Sequence, residues 1–263
     1  MLGALIGDYA GSRFEFSRYR IPYDFTFYEE RDRFTDDTVM SIAVAEAIMN
    51  NKGKSDEEIK AELVSSMRKW GRRYPDAGYG GKFYDWIFSA DPKPYFSFGN
   101  GSAMRVSSIG WLFDTMEETI HMAELSASVT HNHPEGMKGA IAIAAAIFMA
   151  RNKASKEEIR TEIEKITGYD LSTSYEDYQR QRIRSAICQD TVPEAIVSFL
   201  EAESFEDTIR RAIVLGGDTD TLAAMAGSIA EAYYGIDDAL KNECLANLPD
   251  DLKAVYERFE SVL

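Results

Sequence analysis

Three stretches of this chain are apolar on nearly every face: residues 39–49, 140–150 and 222–234. A helix without a polar face cannot lie on a surface, so each must be enclosed by other elements at the centre of a bundle. All three are rich in small residues, which lets neighbouring backbones come close. Residues 56–70 and 156–166 mix apolar and charged positions at helical spacing, the pattern of an outer layer of helices. Period-two runs of β-branched residues are nearly missing, apart from an ambiguous piece around 23–27. The expectation is an all-α chain, an orthogonal helical bundle. No low-complexity linker or internal repeat interrupts it, so residues 1–263 read as a single domain.

Punctuation along the chain fits this. Ser55-Asp-Glu-Glu58, Ser155-Lys-Glu-Glu158 and Thr191-Val-Pro-Glu194 each have the form of a capping box. Gly53, Gly71, Gly168 and Gly235 follow helical patterns where a left-handed residue would stop a helix. Arg68-Lys-Trp-Gly-Arg-Arg73 reads as the basic end of a helix.

The 44 acidic residues outnumber 29 Lys and Arg, a formal charge of −15. A nucleic-acid backbone would be repelled, and no such partner is expected. Cys188 and Cys244 stand too far apart in sequence for a disulfide framework or zinc spacing, and read as reduced packing residues. The apolar opening Met1-Leu-Gly-Ala-Leu-Ile-Gly-Asp8 lacks a basic flank, and no run reaches the roughly 20 residues of a membrane span. A cytoplasmic protein without a membrane partner is the expectation; the oligomeric state is not legible.

Two of the central helices begin with the same chemistry. Phe34-Thr-Asp-Asp-Thr-Val-Met40 and Gly216-Gly-Asp-Thr-Asp-Thr-Leu222 each set two carboxylates and threonines before an apolar run. One such start is an ordinary N-cap. Two of them raise a second possibility. Asp218 and Asp220 would diverge by about 200° inside a helix, but they can converge in a loop-to-helix turn, which Gly216 and Gly217 permit. Four carboxylates gathered at the inner ends of buried helices would lose hydration and repel one another, and a divalent cation removes that objection. Oxygen ligands alone select a hard ion such as Mg²⁺ or Mn²⁺. Two ions would suit the triplets Thr35, Asp36, Asp37 and Asp218, Asp220, Thr221, making a central dinuclear cleft. Spacing alone leaves this reading and a pair of coincident caps both open.

The segments Gly3-Ala-Leu-Ile-Gly-Asp8, Phe34-Thr-Asp-Asp-Thr-Val-Met40, Gly99-Asn-Gly-Ser-Ala-Met-Arg105, Ser128-Val-Thr-His131 and Gly216-Gly-Asp-Thr-Asp-Thr221 together resemble the ADP-ribosylglycohydrolase family, the DraG-like and ARH-like hydrolases that remove ADP-ribose from modified targets. The resemblance implies a single all-α domain holding two divalent cations, Mg²⁺ or Mn²⁺, with Thr35, Asp36, Asp37, Asp218, Asp220 and Thr221 as ligands that grip ribose hydroxyls. It implies a substrate of ADP-ribose on a protein or small molecule, with Asp36, Asp37, Asp218 or Glu15 positioning or deprotonating water. Substrate contacts are expected from Gly78, Tyr79 and Gly80, ahead of a helix over 82–89, from Gly99, Asn100, Gly101, Ser102 and Met104, and from His131. His133 carries no transferable role and His121 reads as a surface helix residue. The alternatives are a dinuclear phosphohydrolase of a nucleotide diphosphate and a non-catalytic ADP-ribose binding module.

Overall fold

The computed structural model describes all 263 residues, Met1 to Leu263, as fifteen α-helices. In chain order they are α1 Leu2–Gly11, α2 Asp36–Asn51, α3 Asp56–Arg73, α4 Gly81–Phe88, α5 Gly101–Met104, α6 Ile109–Leu112, α7 Met116–Ser128 and α8 Pro134–Arg151. There follow α9 Lys156–Thr167, α10 Tyr175–Gln181, α11 Cys188–Leu200, α12 Phe205–Leu215, α13 Thr219–Tyr234, α14 Asp238–Asn247 and α15 Asp250–Glu260. The only extended pairing is an isolated bridge between Gly99 and Ile187, and the stretch around 23–27 forms no strand.

The three apolar stretches fall in α2, α8 and α13, which lie inside the fold as their composition requires. Helix α13 is the axis, packed by α1, α8, α11 and α12, while α2 lies against α1, α3 and α15. The helices expected outside, α3 and α9, carry their capping boxes at Ser55 and Ser155. Both cysteines are buried free thiols.

A fourth central helix is α1, of which all ten residues are buried, Asp8 included. Gly3, Gly7 and Gly11 recur every fourth residue and so share one face. That face touches the α13 backbone directly. A Cβ on Gly3 would lie 2.1 Å from the Gly227 carbonyl oxygen, one on Gly7 2.2 Å from that of Ala223, and one on Gly11 2.6 Å from that of Thr219. Glu231 of α13 closes the start of α1, accepting from the backbone N–H groups of Leu2 and Gly3 at 3.1 and 2.8 Å.

Two boundary expectations are corrected. Gly71 does not end a helix; α3 runs on to Arg73, and a Cβ at Gly71 would meet the Ile87 side chain at 2.6 Å. Its glycine serves close packing against α4. Thr191 is not a cap, because α11 starts a turn earlier at Cys188 and Pro193 lies inside it. The Thr191 hydroxyl instead donates to the Ile187 carbonyl at 2.9 Å. Gly53, Gly168 and Gly235 do follow helix ends with positive φ.

Replacing Gly7 by Ala is expected to cost about 3 kcal/mol, the upper part of the overpacking range, because backbone cannot give way as a side chain can. Gly81→Ala, where a Cβ meets open space, should change stability by less than about 0.5 kcal/mol. Urea unfolding of both variants checks the contrast.

Candidate active site

Helix α2 begins on a buried carboxylate from another helix. The Asp8 side chain accepts from the Thr35 N–H at 2.9 Å, the Thr38 N–H at 3.0 Å and the Thr35 hydroxyl at 2.6 Å. It thus satisfies helix-start donors that would otherwise be orphaned. Thr35 is the N-cap, its Oγ1 accepting from Asp37 N–H at 3.3 Å. With one proton given and one accepted, a single lone pair remains on that oxygen. Thr35 sits behind the cleft wall, whereas Asp36 and Asp37, the first two residues of α2, line the cleft.

Helix α13 begins opposite. Gly216 and Gly217 both have positive φ, +77° and +78°, and a Cβ on Gly217 would crowd the Ile183 carbonyl at 2.8 Å. This tight turn makes Asp218 the N-cap and puts Asp220 in the first turn. The two carboxylates converge as the loop-to-helix reading required: oxygen atoms of Glu15, Asp218 and Asp220 all lie within 4.8 Å of one another. Asn100 Nδ2 donates to Asp218 Oδ2 at 2.8 Å. The Thr221 hydroxyl donates to Asp37 Oδ2 at 3.1 Å, which joins the two helix starts directly.

Glu15 follows a 3-10 turn, Ser12–Phe14, after α1 and is exposed at the cleft mouth. Its loop is tied down: Phe16 N–H donates to the Gly217 carbonyl at 2.6 Å, and Arg184 donates to the Ser17 carbonyl at 2.6 Å.

The cleft between these elements has a volume of about 410 Å³, within the range of small-molecule sites. Its far wall is glycine-rich. Gly78, with φ +109°, lies over Asp36, where a Cβ would come 3.4 Å from Oδ1. Gly80 caps α4, and Gly99, Asn100, Gly101 and Met104 line the opposite side with His131.

Two expected substrate contacts are not cleft-lining. Ser102 is wholly buried and donates to the Gly136 carbonyl at 2.6 Å. Tyr79 turns its ring onto Phe83, with centroids 5.7 Å apart. His131 and His133 form no pair, because His133 caps α8 through Nδ1, which accepts from Glu135 N–H at 3.1 Å. His121 is a surface residue beside Asp56. Among the residues that sequence reasoning passed over are Lys82, Phe83, Tyr95 and Ser97 in the wall, Arg105 at its base and Asp8 behind it. Asp8 and Arg105 stood inside quoted motifs; the others carry no sequence signal.

The electrostatics of this cluster are one-sided. None of Asp8, Glu15, Asp36, Asp37, Asp218 and Asp220 is paired with Lys or Arg. Burial, then the neighbouring Asp8 and Asp218, push the Asp36 carboxyl up to about 8. Burial first, then surrounding carboxylates, also hold Asp37 and Asp220 well above the ordinary range. Glu15 is raised by burial and then by Asp218. Asp37 Oδ1 is buried without any hydrogen-bond partner. An oxygen-only donor set, excess negative charge and an orphaned carboxylate oxygen fit a hard divalent cation.

Residues 1–263 match the family described as ADP-ribosylglycohydrolase. The chain belongs to the ADP-ribosylglycohydrolase family. Its relatives include ADP-ribosylhydrolase ARH3 of Homo sapiens, 27% identical over 263 residues that cover 78% of this chain and 71% of that protein. ADP-ribosylarginine hydrolase Tri1 of Pseudomonas putida (strain GB-1) is 26% identical, with 90% of this chain and 70% of that one aligned. The ADP-ribosyl-[dinitrogen reductase] glycohydrolase of Rhodospirillum rubrum is 26% identical, covering 90% and 85%. A solved chain titled ADP-ribosylglycohydrolase-related protein complex shares the fold with a TM-score of 0.73 at 22% identity, over 99% of this chain and 95% of its own. The present chain thus shares its all-α architecture with that solved chain, and none of its helices is long and apolar enough to cross a membrane.

The raised Asp36 carboxyl gives a pH signature in metal-free protein. Below about pH 4 folded and unfolded chains both carry its proton and the contribution is whole. As pH rises from the ordinary 3.8 through about 8 the unfolded chain ionises first, so folded-state stability is lost. Chelator-treated protein should therefore show a steeper fall in melting temperature between about pH 5 and 8 than its Asp36→Asn variant. Equal slopes would contradict the assignment.

Proposed function

We propose that this chain hydrolyses the N- or O-glycosidic bond joining the anomeric carbon of ADP-ribose to an acceptor, an ADP-ribosylated protein or small molecule, and that residues 1–263 act as one domain in doing so. The observation that carries this reading is the meeting of the α2 and α13 starts, tied by Thr221 to Asp37, beside a glycine-lined groove in a chain of this family.

Asp36 and Asp37 on one side, and Asp218, Asp220 and Thr221 on the other, would hold two divalent cations, Mg²⁺ or Mn²⁺, with Thr35 offering its remaining lone pair. Cations held there would supply Lewis acidity and fixed positions for vicinal ribose hydroxyls and a water. The protein's own groups do the rest. Asn100 fixes Asp218 through Oδ2. The start of α4 behind Gly80 offers free N–H groups, its first helix bond being Tyr84 N–H to the Gly80 carbonyl at 2.9 Å. Such a start suits a diphosphate, and Lys82 beside it adds a positive charge. The absence of side chains at Gly78, Gly99 and Gly101 lets sugar and phosphate lie against backbone.

Glu15 is the proposed base. A carboxylate gripped by cations is a poor base, because the positive charge lowers its pKa. Glu15 lies at the exposed mouth on a tethered loop, and its raised pKa brings proton transfer nearer to neutral pH. It would take the proton of the attacking water as the glycosidic bond breaks at an oxocarbenium-like anomeric carbon and water bonds there, the departing acceptor atom taking up a proton from solvent at the open mouth.

Incubation with arginine-, serine-, nucleobase- and acetyl-linked ADP-ribose in Mg²⁺ or Mn²⁺, with products separated by chromatography, tests the proposal. Intact ADP-ribose should be released from at least one linkage. Glu15→Gln should lower kcat by about 100-fold or more, and Asp36→Ala and Asp218→Ala should abolish turnover. AMP with ribose phosphate would instead indicate a phosphohydrolase. Tight ADP-ribose binding with no release from any linkage would indicate a binding module.

A further inference from the structure

At the base of the cleft a buried chain of three side chains ends on His131. Arg105 is among the largest fully buried residues and has no carboxylate partner; its Nη2 donates to Thr130 Oγ1 at 2.7 Å. Thr130, itself wholly buried, lies 2.7 Å from His131 Nδ1 through the same oxygen. His131 is 5% exposed, and its Nε2 faces the Gly99–Gly101 side of the cleft, where a Cβ on Gly101 would come within 3.2 Å. No protein group bonds to that Nε2, and His131 lines the cleft.

The direction of these bonds follows from the donor inventory. A guanidinium can only donate, so Thr130 Oγ1 accepts from Arg105. The hydroxyl proton then needs an acceptor, and the one in reach is His131 Nδ1. Were Nδ1 protonated, two donors would converge on one oxygen and the buried hydroxyl proton would lack a partner, a loss that interiors avoid. The other ring nitrogen must then carry the hydrogen.

We propose that Thr130, oriented by Arg105, is a positioning residue that locks His131 as the neutral tautomer with its hydrogen on Nε2, so that His131 presents a hydrogen-bond donor to an oxygen of the bound substrate. Burial and the Arg105 charge, which both hold the His131 pKa well below the ordinary imidazole value, agree with this geometry. His131 on this account neither takes up a proton in the reaction nor binds a cation. The Arg105 guanidinium, lacking a counter-ion, adds a positive potential at the same end of the cleft as a ligand oxygen would occupy. The effect on substrate binding rests on the cleft being the ADP-ribose site; the tautomer does not.

Long-range ¹⁵N–¹H correlation spectra of the free protein at neutral pH test the lock. Wild type should show His131 Nδ1 bare and Nε2 protonated, Thr130→Val should lose that single-tautomer pattern, and Thr130→Ser, which keeps the hydroxyl, should restore it. In hydrolysis assays Thr130→Val should raise KM about tenfold, the equivalent of one hydrogen bond, with a smaller change in kcat. Failure of wild type to release ADP-ribose would overturn the functional reading while the spectra still decide the tautomer. A wild-type His131 protonated on Nδ1, or a folded Thr130→Val protein with unchanged tautomer and KM, would overturn the lock.

Discussion

The backbone contact between α1 and α13 is the constraint on which the rest of the structure depends. Gly3, Gly7 and Gly11 remove every Cβ from that face, and the carbonyls of Gly227, Ala223 and Thr219 fill the space. The contact fixes α1 in register with α13, and the Thr219 hydroxyl pins the lower end by donating to the Gly11 carbonyl at 2.9 Å. Asp8, on another face of α1, is thereby held where it can receive the start of α2. One helix therefore sets the relative position of two others, and the cleft is the space between their N-terminal ends.

Placing carboxylates at helix starts is favourable locally and unfavourable collectively. Each start gains from its dipole and from capping bonds, yet gathering Asp36, Asp37, Asp218, Asp220 and Glu15 without a basic partner leaves them desolvated and mutually repelled. The raised pKa directions record that cost. A protein optimised for stability alone would place apolar groups or a salt bridge there. That these acids instead point into one cleft, with an orphaned oxygen on Asp37, is the physical argument for a cation.

Much of this was legible in the sequence. The helices α2, α8 and α13 declared themselves by having no polar face, and the twin acidic starts by their repetition before apolar runs. What escaped was relational. Thr191-Val-Pro-Glu194 has the letters of a capping box, but Asn100, Ala186, Phe98 and Cys188 pair across the Gly99–Ile187 bridge and start α11 one turn earlier. Gly71 resembled a stop because sequence does not show Ile87 lying across it. Asp8 looked like the polar end of an apolar run; its function as the cap of a helix 27 residues away belongs to tertiary structure. Ser102 and Tyr79 lie in motifs whose neighbours do face the cleft, and only the helical turn and ring packing separate them from it.

On the proposed function, the starts of α2 and α13 together form a single cleft for two divalent cations. Anomalous diffraction from crystals grown with Mn²⁺ tests it directly. Anomalous density is expected between Asp36 and Asp37 on one side and Asp218, Asp220 and Thr221 on the other, with the Asp37 oxygen that lacks a partner turned toward it. Anomalous density confined to other surfaces of the protein, with those carboxylates bonded only to water, would contradict it.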